Sequence, residues 1–537
     1  MLVPASSIAQ LRERFSWQIP STMNMAGLCC TRHADERDRP ALILADEGRT
    51  VGFRELERRV SKLAHVMAAH GVGRGDRVAI LLDQQLDTVT AHLATNKLGA
   101  ISLPLFRLFG PDALQHRLAD SGARLLLTDD AGAERIAPLR SGLPALATVL
   151  VTGDALETLL GRAKDSFAAE ARDSEDPAFL IYTSGTSGQP KGALHAQRVL
   201  FGHLPGVQMP HEFFPQAGDR FWTPADWAWI GGLLDVLLPS LFFGIPVVAS
   251  RLDRFDPEKA AWLMAQHGVR NSFLPPTALK MMRNAGIDAR AAGVSIRSIG
   301  SGGERLGDEV LDWAKRSFGV TVNEFYGQTE CNLVVANIAS LATPRPESMG
   351  MAVPGHEVAI IDDDGNELPY GTPGSIAVRR PDPVMFLGYW NNEEATSAKY
   401  RGDWLVTGDA GTMDEDGFLT YLGREDDLIS SSGYRIGPAE VEACLMRHEA
   451  VTMCAVVGVP DAVRGERVKA FIVLRDGIEP DDGLANDIRE FVRRRLAAHE
   501  YPREIEFLPS LPMTTTGKIR RMDLRDRTCF SMRNARQ

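Results

Sequence analysis

Cysteine is scarce. Cys29, Cys30, Cys331, Cys444, Cys454 and Cys529 are all that 537 residues contain, and no two form a CxxC pair. That excludes a disulfide framework and a cysteine-built zinc site, and no histidine cluster has metal-ligand spacing. Reduced thiols in a reducing compartment are the simplest reading. A basic excess is absent as well. The formal charge of −11 argues against nucleic acid or an anionic membrane as the main partner, while leaving room for a local basic cleft. Met1 to Pro20 lacks a continuous apolar core, so no signal peptide is expected. The most apolar run, Trp229 to Ala249, contains Asp235, Pro239 and Pro246. A buried helix followed by a strand is expected there rather than a membrane span. The expected location is cytoplasmic. Internal repeats and low-complexity tracts are missing too.

What is there alternates between helix and strand. Leu56, Val60, Leu63 and Met67 recur as on one helix face, and Gly71, Gly73 and Gly75 then break the pattern. Val78 to Leu82 reads as a buried strand, residues 86 to 98 as a second helix closed by Gly99, and Ala100 to Leu103 as the next strand. Further strands are expected near 179–183, 246–249, 271–274 and 296–299. Such alternation implies α/β architecture, a parallel-rich sheet flanked by helices. The chain is too long for one core. Past Arg424 the rhythm changes: a short helix from Pro438 to Met446, strands at 453–457 and 471–474, and an amphipathic helix marked by Leu484, Ile488, Phe491, Val492 and Leu496. This predicts a large N-terminal domain over residues 1–424 and a small α+β C-terminal domain over 425–537.

The chemistry concentrates in Thr183-Ser-Gly-Thr-Ser-Gly-Gln-Pro-Lys-Gly192, which follows the strand-like Ala178 to Tyr182. Glycines let the backbone approach an anion, and hydroxyls and a lysine supply donors. Thr183, Ser184, Gly185, Thr186, Ser187, Gly188 and Lys191 thus form a candidate phosphate cradle. It is not a Walker loop, because Pro190 stands where the second glycine would be. A plain flexible linker need not follow a buried strand or end in Pro-Lys-Gly.

This loop resembles the signature of the adenylate-forming superfamily of acyl-CoA synthetases, luciferases and peptide-synthetase adenylation domains. Further segments match in the family's order: Gly302-Gly-Glu-Arg305, Tyr326-Gly-Gln-Thr-Glu330, Thr407-Gly-Asp409, Gly423-Arg424 with Asp426, Ser432-Gly-Tyr-Arg-Ile436 and Thr516-Gly-Lys518. The resemblance covers essentially the whole chain and implies an ATP-dependent enzyme that joins a carboxylic acid to AMP and then to coenzyme A.

It also implies roles. Gly303, Glu304, Arg305, Glu324, Phe325, Tyr326, Gly327 and Gln328 would form the adenine-side site, Asp409 would accept the ribose hydroxyls, and Arg424 would lie beside them. Thr329 would touch the α-phosphate and Glu330 would hold Mg²⁺. Lys518 would stabilise charge that develops during adenylation. Asp426 would be the hinge on which a mobile C-terminal domain exchanges catalytic groups between two half-reactions. Ser432, Gly433, Tyr434, Arg435, Arg464, Tyr501, Pro502 and Arg503 would meet coenzyme A. Pro512-x-x-x-x-Gly517-Lys518 is similar to a site of reversible lysine acetylation, which implies a lysine acetyltransferase and deacetylase as partners.

For the acid, the expected pocket wall is Trp229, Gly232, Leu233, Gly300, Gly327 and Cys331. Acetate-specific relatives carry tryptophan where Gly327 stands, so a longer acid is expected. Gly231 aligns with the aspartate of amino-acid-adenylating relatives, which disfavours an amino acid. The surrounding motifs resemble the medium-chain acyl-CoA synthetase branch, implying a short- to medium-chain fatty acid, straight or branched. The alternatives are an aromatic acid, a ligase that loads the pantetheine of a carrier protein, and a nucleotide-binding sensor without turnover. Intact Lys518, Glu330 and Asp426 argue against the sensor.

Overall fold

The computed structural model describes residues 1–183, 190–251, 254–427, 429–431, 434–461, 465–496, 501–513 and 519–534, with backbone alone at 426, 430, 434, 435, 439, 440, 465 and 528–534. Its backbone divides into two units. One comprises Met1–Val358 and Val378–Leu405, the other Ala359–Ala377 and Val406–Gln537.

The first unit is built on two sheets. The helical periodicity read from Leu56 to Met67 becomes the helix Phe53–Ala69, with those apolar residues buried. Gly71 and Gly75 then take φ of +81° and +78°, which side chains resist, and the chain enters the strand Arg77–Leu81. That strand lies between Ile101–Pro104 and Leu125–Thr128, both parallel to it, and Thr148–Val151 continues the parallel run. Pro177–Thr183 adds to the other side, followed by the antiparallel Lys191–Ala196 and the short Gly388–Tyr389. The helix Leu86–Lys97 is buried almost all round rather than amphipathic. Two of its polar side chains find partners inside: His92 Nδ1 with Ser102 Oγ at 2.7 Å, and Lys97 with the Glu57 carboxylate.

In the second sheet, Pro40–Leu44, Val247–Ala249, Phe221–Trp222, Asn271–Phe273, Ser298–Gly302 and Val322–Gln328 run parallel. Cys331–Ala336 and Ser348–Ala352 then continue it antiparallel. The apolar run beginning at Trp229 forms helix Ile230–Gly232, a π-helical turn Leu233–Leu237, helix Leu238–Phe243 and strand Val247–Ala249. Helix followed by strand is what its punctuation predicts. Among the described residues no helix is long and apolar enough to cross a membrane.

In the second unit Trp404–Met413 pairs antiparallel with Phe418–Arg424. Beyond it Tyr434–Ile436, Ile429–Ser431, Gly465–Leu474 and Val451–Asp461 form a sheet, with Glu504–Phe507 parallel to Gly465–Leu474. Helices Pro438–Leu445 and Asp482–Arg493 accompany it, the latter burying Ile488 and Val492. The unit therefore reaches further back than residue 425, because the hairpin to Arg424 and residues 359–377 cluster with the C-terminal residues.

Candidate functional site

One segment of the first unit ties a turn to a hairpin. Thr183 and Lys191 are opposite each other at the mouth of the hairpin made by Pro177–Thr183 and Lys191–Ala196. Ser184, Gly185, Thr186, Ser187 and Gly188, expected to cradle phosphate, lie outside the described residues. Thr329 and Glu330 are the two-residue turn between Val322–Gln328 and Cys331–Ala336, whose register pairs Gln328 with Cys331. The segment 385–390 bridges the turn and the hairpin. Phe386 N–H donates to Glu330 O at 2.9 Å, while Leu387 N–H and Trp390 N–H each donate at 2.7 Å, to Leu194 O and Gly192 O. The Thr-Glu turn thereby sits alongside the base of the loop.

Side chains reinforce the bridge. Tyr389 Oη donates to Glu330 Oε1, and Lys191 Nζ lies 5.3 Å from the centre of the Tyr389 ring. Lys399 Nζ donates to Gln328 Oε1 at 3.0 Å. Tyr389 and Lys399 were not among the residues singled out in the sequence, since nothing local distinguishes a tyrosine in Gly-Tyr-Trp from a core aromatic. Glu330 is buried, only 8% exposed, and its Oε1 accepts from Tyr389.

The expected adenine-side residues occupy the ends of adjacent parallel strands. Gly302 pairs with Phe325 and Ser301 with Glu324. Gly303 has φ of +96°, a turn conformation that favours glycine. Glu304 faces Lys280 at 3.8 Å and Arg305 pairs with Glu347 at 2.7 Å. Phe325 packs on Phe273 with ring centres 5.2 Å apart. Burial pushes the Glu324 carboxyl up to about 7, opposed by the Leu306 N–H and by Arg305.

For the acyl side, Trp229 packs against Phe106 and Phe109, with ring centres 5.2 and 6.0 Å away. Leu233 and Cys331 are buried. A Cβ at Gly232 would meet Asp226 O at 2.3 Å, and one at Gly300 would meet His211 Nε2 at 2.9 Å. Gly327 sits at an irregularity of the hairpin, where a Cβ would lie 2.6 Å from Asn332 Oδ1 and 2.9 Å from Asn332 Cα. The missing side chain is thus taken up by close approach of the neighbouring strand. Asn332 in turn reaches Asp235, a buried acid that sequence reasoning noted only as an interruption of an apolar run.

In the second unit Asp409 and Arg424 are register partners, with Nη1 and Oδ1 3.7 Å apart. Asp426 belongs to the 3₁₀ turn Glu425–Asp427, and Tyr434 and Arg435 to the strand Tyr434–Ile436; their side chains are outside the described set. Ser432, Gly433, Arg464 and Lys518 also lie outside the described residues. Tyr501 and Arg503 meet through Arg503 Nη1 and the Tyr501 hydroxyl, the guanidinium 3.9 Å from the ring centre, with Pro502 buried between them in sequence.

Comparison with known proteins shows the family. The family model of AMP-binding enzymes matches residues 30–390, and that of the AMP-binding enzyme C-terminal domain matches residues 440–518. The acetyl-coenzyme A synthetase of Bacillus subtilis (strain 168) is 36% identical over 527 residues, covering 94% of this chain and 90% of that protein. The mitochondrial acyl-coenzyme A synthetase ACSM2B of Homo sapiens is 34% identical over 490 residues, covering 88% and 84%. The crystal structure of Brucella canis acyl-CoA synthetase superposes with a TM-score of 0.75 at 32% identity, over 98% of this chain and all of that one (100%). The class is an AMP-forming acid–thiol ligase with the adenylate-forming fold. The chain belongs to the AMP-binding enzyme family, and its general reaction is ATP-dependent acyl-CoA synthesis by way of an acyl-adenylate.

Proposed function

We propose that the acid is a short- to medium-chain carboxylic acid, straight or branched, and that it meets ATP at the bridged turn and hairpin. The acid class is supported by the likeness to the acyl-coenzyme A synthetases. The observation that carries the placement is segment 385–390, hydrogen-bonded to Glu330 on one side and to Gly192 and Leu194 on the other. It brings an acidic turn beside the strand Lys191–Ala196, which follows the hydroxyl- and glycine-rich stretch in sequence, a combination suited to phosphoryl chemistry.

In this reading Thr183 and Lys191 flank the triphosphate, and Thr329 donates to the α-phosphate. Glu324, Phe325 and Tyr326 receive the adenine, with Asp409 and Arg424 at the ribose. Glu330 fits a magnesium ion by donor chemistry: its carboxylate offers the hard oxygen that Mg²⁺ prefers. Bound there, the ion would neutralise charge on the phosphates. Lys518 stabilises the transition state of adenylation, and the small domain turns about Asp426 before the thiol of coenzyme A attacks. Tyr501, Pro502 and Arg503 serve the coenzyme A site with Ser432, Gly433, Tyr434, Arg435 and Arg464.

Trp229, Gly232, Leu233, Gly300 and Cys331 surround the acyl chain. Acetylation of Lys518 would remove its charge and silence the first half-reaction. The cysteine usage and acidic balance support a cytoplasmic location. ATP–pyrophosphate exchange across straight-chain acids tests the substrate assignment. Exchange that rises from acetate toward butanoate and hexanoate supports it, and a maximum at acetate contradicts it.

A further inference from the structure

The buried carboxyl of Asp235 is used by none of these roles. It is 3% exposed, on the π-helical turn Leu233–Leu237. One of its oxygens is fixed by a chain of hydrogen bonds whose direction can be read. His203 is wholly buried, its Nδ1 2.7 Å from the Val199 carbonyl. An imidazole facing a carbonyl must donate to it, so Nε2 carries the lone pair. Asn332 Nδ2, 3.2 Å from that Nε2, spends one hydrogen there and gives the other to Asp235 Oδ1 at 2.8 Å. Oδ1 is therefore the accepting oxygen.

Oδ2 has no hydrogen-bond partner among the described residues. It points toward Gly231, where an added Cβ would lie 3.5 Å from it and 2.9 Å from Phe273 Cε1. Burial pushes this carboxyl up to about 8, so near neutrality the acid is largely protonated, and the proton belongs on Oδ2. A donor in so buried a residue gains from an acceptor. Gly231 lies between the acyl-pocket residues Trp229 and Gly232, and Asn332 adjoins Cys331 and contacts Gly327.

We propose that Asp235 determines specificity by donating from Oδ2 to an oxygen substituent on the acyl chain, so that hydroxy or oxo acids are preferred over the unsubstituted acid. The proposal rests on the acyl-pocket assignment above and names the substrate class within it. The exclusion of amino acids drawn from Gly231 is kept, because a protonated carboxyl offers an ammonium no counter-charge.

The test compares kcat/KM for hexanoate, 2-hydroxyhexanoate, 3-hydroxyhexanoate, 3-oxohexanoate and 3-aminohexanoate. With wild-type enzyme at least one hydroxy or oxo acid is expected to exceed hexanoate by about tenfold, the worth of one satisfied hydrogen bond. Asp235→Asn should keep that preference, since its amide still donates from the same position. Asp235→Leu should lose it, bringing the substituted acid down to hexanoate or below. Hexanoate outrunning every substituted acid with wild-type enzyme would overturn the proposal without any variant needing to fold. So would an amino acid preferred by wild type and lost in Asp235→Asn. Hexanoate turnover by itself upholds the acyl-CoA reading whichever way the preference falls. No turnover with any acid would overturn both.

Discussion

The hydroxyl of Tyr389 donates to the carboxylate of Glu330, tying the strand Gly388–Tyr389, which pairs with Lys191–Ala196, to the two-residue turn Thr329-Glu330. If Glu330 reaches a magnesium ion, the cation competes with this hydroxyl for a charged acceptor. Tyr389→Phe should lower the Mg²⁺ concentration for half-maximal pyrophosphate exchange by about tenfold or more, the equivalent of one hydrogen bond to a charged group. A magnesium titration of exchange checks this. An unchanged midpoint would mean that hydroxyl and metal do not share the carboxylate.

Glu324 sets a pH dependence of stability. Its folded pKa of about 7 lies above the ordinary value of 4.5. A raised carboxyl favours the native state fully below 4.5, and that contribution is lost as pH rises through 7. Glu324→Gln should remove a loss on the order of 3 kcal/mol between those limits. Thermal melts at pH 5 and pH 8 should then show a smaller drop in Tm for the variant than for wild type.

Arg521 organises the second unit around two acids. Its guanidinium pairs with Glu442 at 2.8 Å and with Asp427 at 3.7 Å, and Arg525 adds to Asp427 at 3.1 Å. Arg521→Ala leaves Glu442 in a desolvated position with its cation gone, at a cost of about 2–3 kcal/mol. Hydrogen exchange should show faster opening across Pro438–Leu445 and Val451–Asp461, with Phe53–Ala69 of the first unit unaffected.

Much of this was legible beforehand, and the rest failed for identifiable reasons. The helix Phe53–Ala69 declared itself because its apolar residues share one face. Leu86–Lys97 is legible from its length and flanking glycine, but the burial of its polar residues is not. Asp409 and Arg424 could be picked out as residues, but their pairing depends on strand register across a hairpin, which composition does not encode. Gly327 suggested open volume. Its partner strand instead closes on it, a contact between strands that a one-dimensional motif cannot display. Asp235 carried the clearest unused signal, an acid in an otherwise apolar run, which asks what it bonds to once buried.

Lys518→Ala separates the half-reactions. Acyl-AMP formation should fall by about 10²–10³, the usual loss when one transition-state donor is removed. Conversion of supplied acyl-AMP to acyl-CoA should persist. Protein acetylated at Lys518 should behave like the alanine variant, and full pyrophosphate exchange by it would contradict the role given to this lysine.

A ligase of this kind needs both an acid and coenzyme A, and pyrophosphate release with ATP and Mg²⁺ measures that most directly. Across acids from acetate to decanoate plus benzoate, sustained release should require the acid and coenzyme A together and yield acyl-CoA and AMP. Slow release indifferent to coenzyme A, or none with any acid, would contradict it.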